Sequence, residues 1–310
     1  MGPELRHLRY LIAVVEHGSF TRAADDLHIS QPTLSQQIRQ LERAVGAQLL
    51  DRGARGVRAT DAGEVYVRHA RRALGELAAA DRAVLDVADL SRGHLRLATT
   101  PTFTAYLVGP LARELHTRHP GVTLDVREMT QDRIEASLLA DELDLGIAFE
   151  GDQLPGIAAT PLFTETLGLV VTAHRPDDRA GRPVPVQDLA GQRLALLSSD
   201  FATRTHIDGY FARHRVSPPI AVEANSIQAL TEIVQRVDRL ATVLPDAITD
   251  DHPHLAPVPL DPPLPTRVAA LLRRESGYES AAARAFARLA RAVVRERGYA
   301  PARPGPDATD

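Results

Sequence analysis

Between Leu5 and Val45 apolar residues recur at spacings of three and four, but the stripe is cut twice, at Gly18-Ser19 and at His28-Ile29-Ser30. A stripe so interrupted predicts three short helices sharing one buried face rather than a single long one. Leu5, Leu8, Ile12 and Val15 give the stripe of the first, which ends near Gly18. Ser19 stands where an N-cap is wanted, and Thr21 to Leu27 forms the second, with Ala23, Ala24 and Leu27 turned inward. Ser30-Gln31-Pro32 opens the third. There Ser30 caps, and a proline in the first turn sacrifices no hydrogen bond, because its N–H would be unpaired anyway. Leu34, Ile38, Leu41 and Val45 make the buried stripe of this helix, and Gly46 ends it.

Two short helices meeting across a tight break, the second with a polar outer face, form a helix-turn-helix. The outward positions of the third helix are Gln31, Thr33, Ser35, Gln36, Arg39 and Gln40. Of these, with Pro32 beside them, Gln31, Thr33, Ser35, Gln36 and Arg39 are the candidate base readers. Gln can pair with adenine, Arg with guanine, and the Thr methyl can meet thymine. A polar face on one isolated helix would mean no more than solvation. Here a basic hairpin follows: Gln48 to Arg52, a Gly-rich turn from Gly53 to Gly56, then Val57 to Thr60, with Arg52, Arg55 and Arg58 around the tip. Such a wing reaches phosphates or the minor groove and adds affinity rather than sequence reading. Ser19, Thr21, Arg22, Ser30, Arg52 and Arg55 are the candidate phosphate and wing contacts, and the expected partner is double-stranded DNA. The net charge of −4 divides into +2 over the first sixty residues and −6 over the rest, which permits nucleic-acid contact at the head.

Asp61-Ala-Gly-Glu64 fits an N-cap with Glu at the third helical position, opening a helix that runs to about Leu90, roughly 45 Å. Along it Tyr66, Ala70, Ala73, Leu77, Ala80, Val84 and Val87 alternate at spacings of four and three. A 3.5-residue repeat marks a helix paired with another along a narrow seam. Packing on the chain's own body is the alternative. Dimerisation is preferred, because a helix-turn-helix usually reads two half-sites one turn of duplex apart.

Beyond Ser91-Arg92-Gly93 short strands alternate with helices. Strands are expected at His94–Thr99, Val122–Arg127, Leu143–Phe149, Thr166–Thr172, Arg193–Ser198, Ile220–Glu223, Leu240–Val243 and Arg267–Leu272. Helices are expected at Phe103–His119, Asp132–Asp141, Thr203–His214, Ile227–Arg236 and Glu279–Arg297. Alternation of this kind implies parallel sheets with helices on both faces. The domains are then a head at 1–60, a linker helix at 61–90 and a two-lobed α/β body at 91–297. Lobe I covers about 94–163 plus 267–297, lobe II about 164–266, and the Pro- and Gly-rich stretch 298–310 is expected to be disordered. Ligands of open α/β sheets bind at the carboxyl ends of the strands. The residues there are Thr100, Thr102, Thr130, Gln131, Phe201, Thr203 and Arg204. They suit a small anion or carboxylate if Asp200 is neutralised by Arg204; otherwise the Thr and Ser residues serve as helix caps.

The chain has no cysteine, which excludes disulfides, thiolate metal sites and thiol nucleophiles. No apolar run approaches the ~18 residues of a membrane span, and the charged N-terminus does not read as a secretory signal, so a cytoplasmic protein without membrane contact is expected. No GxSxG, P-loop, HExxH or GxGxxG occurs, so an enzyme built on the α/β body has no motif in its favour, and no cofactor is expected. Asp250-Asp-His252-Pro-His254 lies in a Pro-rich loop and is not expected to hold a metal.

Three segments of the head carry a family resemblance: Gly18 to Ala24, Ile29 to Glu42, and Ala59-Thr-Asp-Ala-Gly63. With Gly46 to Arg52 they resemble the LysR-type transcriptional regulators, and the layout of the whole chain agrees. The resemblance implies an N-terminal winged helix-turn-helix (α+β) and long linker helix, followed by a two-lobed effector domain like a periplasmic binding protein. It implies a dimer or tetramer, activation of a target operon with repression of the regulator's own divergent gene, and contact with RNA polymerase. Body segments Thr100 to Thr104, Gly146 to Phe149, Phe201 to Arg204 and Glu223 to Ile227 are similar to the cyanate-operon regulator within that family, which implies cyanate as effector.

Overall fold

The computed structural model describes residues 2–53, 56–86, 93–173 and 183–302. Arg55 and Val87 fall outside that range, as does the side chain of Val84. The chain divides into two compact units, one of residues 1–87 with 139–142, the other of 88–138 and 143–310.

The first unit contains α1 (Leu5–His17), α2 (Phe20–Asp26), α3 (Gln31–Val45), the antiparallel hairpin β1 (Leu50–Gly53) and β2 (Gly56–Ala59), and α4 (Asp61–Asp86). Both helix breaks form as the sequence requires. Gly18 ends α1 and Gly46 ends α3, each in the left-handed conformation, and the Ser19 and Ser30 hydroxyls accept from the Arg22 and Thr33 amides. The stripe of α1 is rotated from expectation: His7, Leu11, Ala13 and Val14 are buried, Leu5 is exposed, and Leu8, Ile12 and Val15 lie at the margin. The cause is that α1 packs against α2 and α3 on one side and α4 on the other, so its buried arc centres between the expected positions.

The cap of α4 lies one residue earlier than Asp61. The Thr60 hydroxyl accepts from the Gly63 amide at 3.0 Å while donating to the Gln48 carbonyl at 2.7 Å. Asp61 and Glu64 then stand in the first turn, where negative charge favours the helix dipole. A Cβ on Gly63 would come within 1.9 Å of the Leu49 carbonyl oxygen, so only glycine lets α4 start against the entry to β1. The expected seam is corrected as well. Ala70 is buried and Tyr66 half-buried in the unit to which Val67 also contributes core, and burial raises the Tyr66 phenol pKa. Only Ala73, Leu77 and Ala80 of the seam residues with described side chains remain exposed.

The second unit contains β3 (Gly93–Thr99), α5 (Pro101–Tyr106), α6 (Val108–Arg118), β4 (Val122–Glu128), α7 (Gln131–Leu139), β5 (Leu145–Phe149), β6 (Ile157–Glu165) and β7 (Leu167–Thr172). There follow β8 (Val184–Pro185), β9 (Leu194–Leu197), α8 (Ala202–His214), β10 (Ile220–Ala224), α9 (Ile227–Arg236), β11 (Thr242–Pro245), β12 (Leu255–Val258), β13 (Leu260–Asp261), β14 (Arg267–Arg274) and α10 (Ala281–Glu296). The expected helix from Phe103 to His119 is two helices. Pro110 has no N–H for the Tyr106 carbonyl and its ring crowds that group, so a new helix begins at Val108. The freed carbonyl accepts instead from Arg297 at 3.4 Å.

The sheets are mixed rather than parallel. In lobe I the order is β4-β3-β5-β14-β6; β3 runs parallel to β4 and β5, and β14 antiparallel to β5 and β6. In lobe II β7 lies between antiparallel β11 and β12, while parallel β9 and β10 join it through a Leu194–Ala241 bridge. Strand β6 is missing from the expected set because Pro155 and Pro161 interrupt its pattern; as an edge strand it tolerates Pro161 at a register shift. Of the stretch 298–310 expected to be disordered, residues 298–302 are ordered, and 303–310 lie outside the described residues. Tyr299 packs on Phe163 with ring centroids 4.9 Å apart, and Pro301 bridges Phe163 at the β6 edge.

Candidate nucleic-acid interface and effector cleft

The outer face of α3 presents Gln31, Pro32, Thr33, Gln36 and Arg39 to solvent. Ser35 does not belong to that face. It is 7% exposed, on the flank of the buried arc about 60° beyond Ile38. Ser30 is exposed, but its hydroxyl bonds the Thr33 hydroxyl at 2.7 Å as well as the Thr33 amide. Thr21 and Arg22 are exposed beside it, Ser19 half-buried, and Arg22 donates to the His17 carbonyl. On the hairpin, Arg52 is exposed with its guanidinium 4.8 Å over the Phe20 ring, which ties the wing to the first residue of α2.

Two side chains that the periodicity does not single out fix this surface from behind. His7 is buried; its Nδ1 accepts from the Glu4 amide at 3.0 Å, so the proton sits on Nε2, which donates to Gln37 Oε1 at 2.9 Å and pins α3 to α1. Glu42 Oε1 accepts from the Leu49 and Leu50 amides at 2.9 and 3.2 Å. One carboxylate at the far end of α3 therefore sets the start of the wing strand. The signal for both was chemical type on a helix flank, which the apolar stripe ignores.

In the second unit the loops at the carboxyl ends of β3 and β9 meet. Thr102 and Thr203, both buried, bond hydroxyl to hydroxyl at 2.9 Å across the lobes. Thr100 is also buried, and its Oγ1 has no partner. Phe201 packs on the core, and Thr130 is half-buried. Gln131 and Arg204 depart from the expected role. Gln131 closes the end of β5, donating to the Phe149 carbonyl and accepting from its amide. Arg204 donates to Asp208 Oδ1 at 2.9 Å, Glu223 Oε2 at 2.8 Å and the Leu197 carbonyl. Burial opposes its charge, but these bonds outweigh it and raise its pKa. It pairs with these two carboxylates rather than Asp200, so its charge is already met.

A second cation stands nearby. Arg267, the first residue of β14, has its side chain only 7% exposed, and Nε bonds Glu165 Oε2 at 2.6 Å. The guanidinium carbon lies 3.6 Å over the Phe149 ring. Tyr106 donates to the other Glu165 oxygen at 2.6 Å; burial and the neighbouring carboxylate raise its pKa well above the usual value, so the phenol keeps its proton. Nη1 and Nη2 of Arg267 are buried without partners. A buried donor left unpaired costs about 1–3 kcal/mol, more when charged. His206 of α8 bonds the Pro265 carbonyl at 2.8 Å; burial lowers its pKa, and the charge of Arg267 lowers it further. Periodicity does not single out Arg267, because its carboxylate partner is 102 residues away; an arginine opening the apolar run Val268 to Leu272 is the available signal.

Residues 5–64 match the description "Bacterial regulatory helix-turn-helix protein, lysR family", and residues 88–295 match "LysR substrate binding domain". The nitrogen assimilation regulatory protein nac of Klebsiella aerogenes is 35% identical over 244 residues, 78% of each chain. The DNA-binding transcriptional dual regulator OxyR of Escherichia coli (strain K12) is 32% identical over 231 residues, 74% of this chain and 75% of its own. Among solved structures, a full-length OxyR variant from Pseudomonas aeruginosa superposes with a TM-score of 0.71 at 25% identity, covering 95% of both chains. Full-length CbnR in complex with its target DNA gives 0.55 at 25% identity, covering 94% of this chain and 99% of that one.

Proposed function

The chain belongs to the lysR family of bacterial regulatory proteins, and on that premise we propose that it switches transcription by reading duplex DNA with Gln31, Pro32, Thr33, Gln36 and Arg39 while a small anion binds between the lobes of its body. As a member it is a DNA-binding transcriptional regulator that responds to a small-molecule effector. The observation that carries the residue assignment is the exposed polar row on the N-terminal half of α3, backed by Leu34, Ile38 and Leu41 at 0% exposure. Gln31 and Gln36 read adenine edges, Arg39 reads guanine, and the Thr33 methyl meets thymine. Ser19, Thr21, Arg22, Ser30 and Arg52 hold phosphates on either side, and Arg55 belongs to the same wing. Ala73, Leu77 and Ala80 bring two heads together, and two such dimers form a tetramer that activates a divergently transcribed operon with RNA polymerase in the cytoplasm.

Effector binding biases the lobe arrangement by its difference in affinity for the two states, typically worth ~1–3 kcal/mol of coupling. Thr100, Thr102 and Thr203 are the groups that meet the ligand, with Thr130 and Phe201 at the rim. The relatives named above are a nitrogen assimilation regulatory protein and OxyR, so cyanate as effector is supported by the segment resemblance alone. The absence of cysteine closes a thiol-based response to peroxide. Isothermal titration of the full chain with cyanate and other small anions, followed by a footprint of the upstream region with and without an anion that binds, tests both halves. Protection that shifts or extends with ligand supports the switch. Protection identical in both conditions, with the anion bound, refutes it and leaves an architectural DNA-binding protein.

A further inference from the structure

Among the described residues, four buried side-chain polar atoms have no hydrogen-bond partner, namely Thr100 Oγ1, Thr242 Oγ1, and Nη1 and Nη2 of Arg267. Three of the four lie at one place in the fold. Thr99 pairs with Ile147 and Ala269 with Phe149, so Thr100 and Arg267 flank the carboxyl end of β5 from its two neighbouring strands. Because β14 runs antiparallel, its first residue stands where β3 and β5 finish. Two strand spacings of ~4.8 Å across and an offset of three residues along the strands put the two Cα atoms roughly 14 Å apart, a gap that an arginine side chain and a small organic acid span together. The Thr102–Thr203 and His206–Pro265 bonds join lobe I to α8 and the returning chain at this same end.

We propose that Arg267 and Thr100 anchor the effector, and that the effector is a small monocarboxylate whose two oxygens lie along the Nη1–Nη2 edge of Arg267. This rests on the regulator reading above and names the ligand class of that cleft. The guanidinium has five N–H donors in a planar fork. Glu165 takes the Nε donor and Phe149 covers one face, which leaves the end of the fork open. A carboxylate matches that edge with two parallel charge-assisted bonds. Cyanate, a linear ion with one atom at each end, fills only one donor position. A dianion would set a second negative charge beside Glu165. The Phe149 ring offers the organic part of the acid an apolar wall, and the Thr100 hydroxyl, free to donate or accept, meets a polar group at its other end.

The test is isothermal titration of the full chain with acetate, butyrate and benzoate, against butyramide, benzamide and cyanate. Arg267→Gln alone strands Glu165 as an unpaired buried carboxylate and can unfold the body. The double variant Arg267→Gln with Glu165→Gln leaves no buried charge, and circular dichroism checks its fold. The expected result is that at least one acid binds the wild-type chain, its amide does not, and the double variant loses about tenfold or more in affinity. Equal affinity in the folded double variant overturns the seat. Binding of cyanate or an amide in preference to every acid overturns the ligand class, and so does a wild-type chain that takes none of the three acids. Failure of the regulator reading is separate: a footprint unchanged by an acid that binds through Arg267 removes the switch and keeps the seat.

Discussion

Replacing Glu42 by alanine probes the link between the reading helix and the wing. Its Oε1 atom is the acceptor for the Leu49 and Leu50 amides, at 2.9 and 3.2 Å, and both leucines are essentially fully buried. Water therefore cannot replace the lost acceptor without opening the strand. Each bond to a charged acceptor contributes about 1.5–3 kcal/mol, and the two share one oxygen, so the pair is worth about 3 kcal/mol rather than the sum of two maxima. At 1.4 kcal/mol per tenfold, local opening of β1 becomes about a hundredfold more frequent. Glu42→Gln retains a carbonyl acceptor without the charge and loses about 1 kcal/mol. Amide hydrogen exchange followed by mass spectrometry on peptides covering residues 43–53 measures this directly in the full chain. Exchange of the Leu49 and Leu50 amides in the alanine variant should be about two decades faster, with the glutamine variant between it and wild type. Unchanged exchange in the alanine variant would show that the carboxylate is not what holds the strand. Equal loss in both variants would mean that negative charge, not the hydrogen bonds, does the holding.

Gln36→Ala should weaken binding to a cognate operator far more than to random duplex, whereas Arg52→Ala should weaken both and lower the salt slope by about one; anisotropy titrations at several salt concentrations separate them, and equal losses for Gln36→Ala on both DNAs refute its reading role. Leu77, 44% exposed on α4, is the largest free apolar side chain of the seam, so Leu77→Asp should shift the chain toward monomer in sedimentation velocity without changing its circular dichroism; an unchanged oligomer places the seam elsewhere. His206 has a folded-state pKa below its ordinary 6.5 because of burial. The unfolded chain therefore binds the proton first as pH falls, and the stability held above the ordinary value is lost on acidification through 6.5 toward the lowered pKa. Melting temperatures at several pH values should drop more steeply for wild type than for His206→Asn across that window, and parallel curves would remove His206 from the account.

What was legible in the sequence follows the range of the interactions involved. Ser19, Ser30, Gly18 and Gly46 act within one helical turn of themselves, and each stands where local pattern puts it. The same locality explains why Ile227–Arg236 was located to the residue, since Ser226 caps it and its apolar stripe lies within one element. The errors share the opposite property. Ser35 and the rotated stripe of α1 depend on which neighbours cover each flank, and Tyr66 and Ala70 repeat every 3.5 residues whether a second chain or their own unit covers them. Strand β6 was lost to its prolines, although an edge position removes the penalty that makes proline a strand breaker in the interior.

At the cleft the difference becomes one of charge accounting across distance. Arg204 stood in the expected loop, yet Asp208, four residues on, and Glu223, on a strand, neutralise it. Arg267 stood in a strand that periodicity treats as core, and its one carboxylate partner engages a single nitrogen of three. A cation is available to an incoming anion according to the donors its own protein leaves open, not according to its place in a loop. By that criterion Arg267, rather than Arg204, is the candidate anion partner. The closed ion-pair set of Arg204 braces α8 against β10, while Nη1 and Nη2 of Arg267 stay buried and unpaired, so in the proposed seat a bound carboxylate relieves a cost that the unliganded site carries. The proposed acid then works as a switch only to the extent that this relief differs between the two lobe arrangements, which is the differential affinity the footprint with and without acid measures.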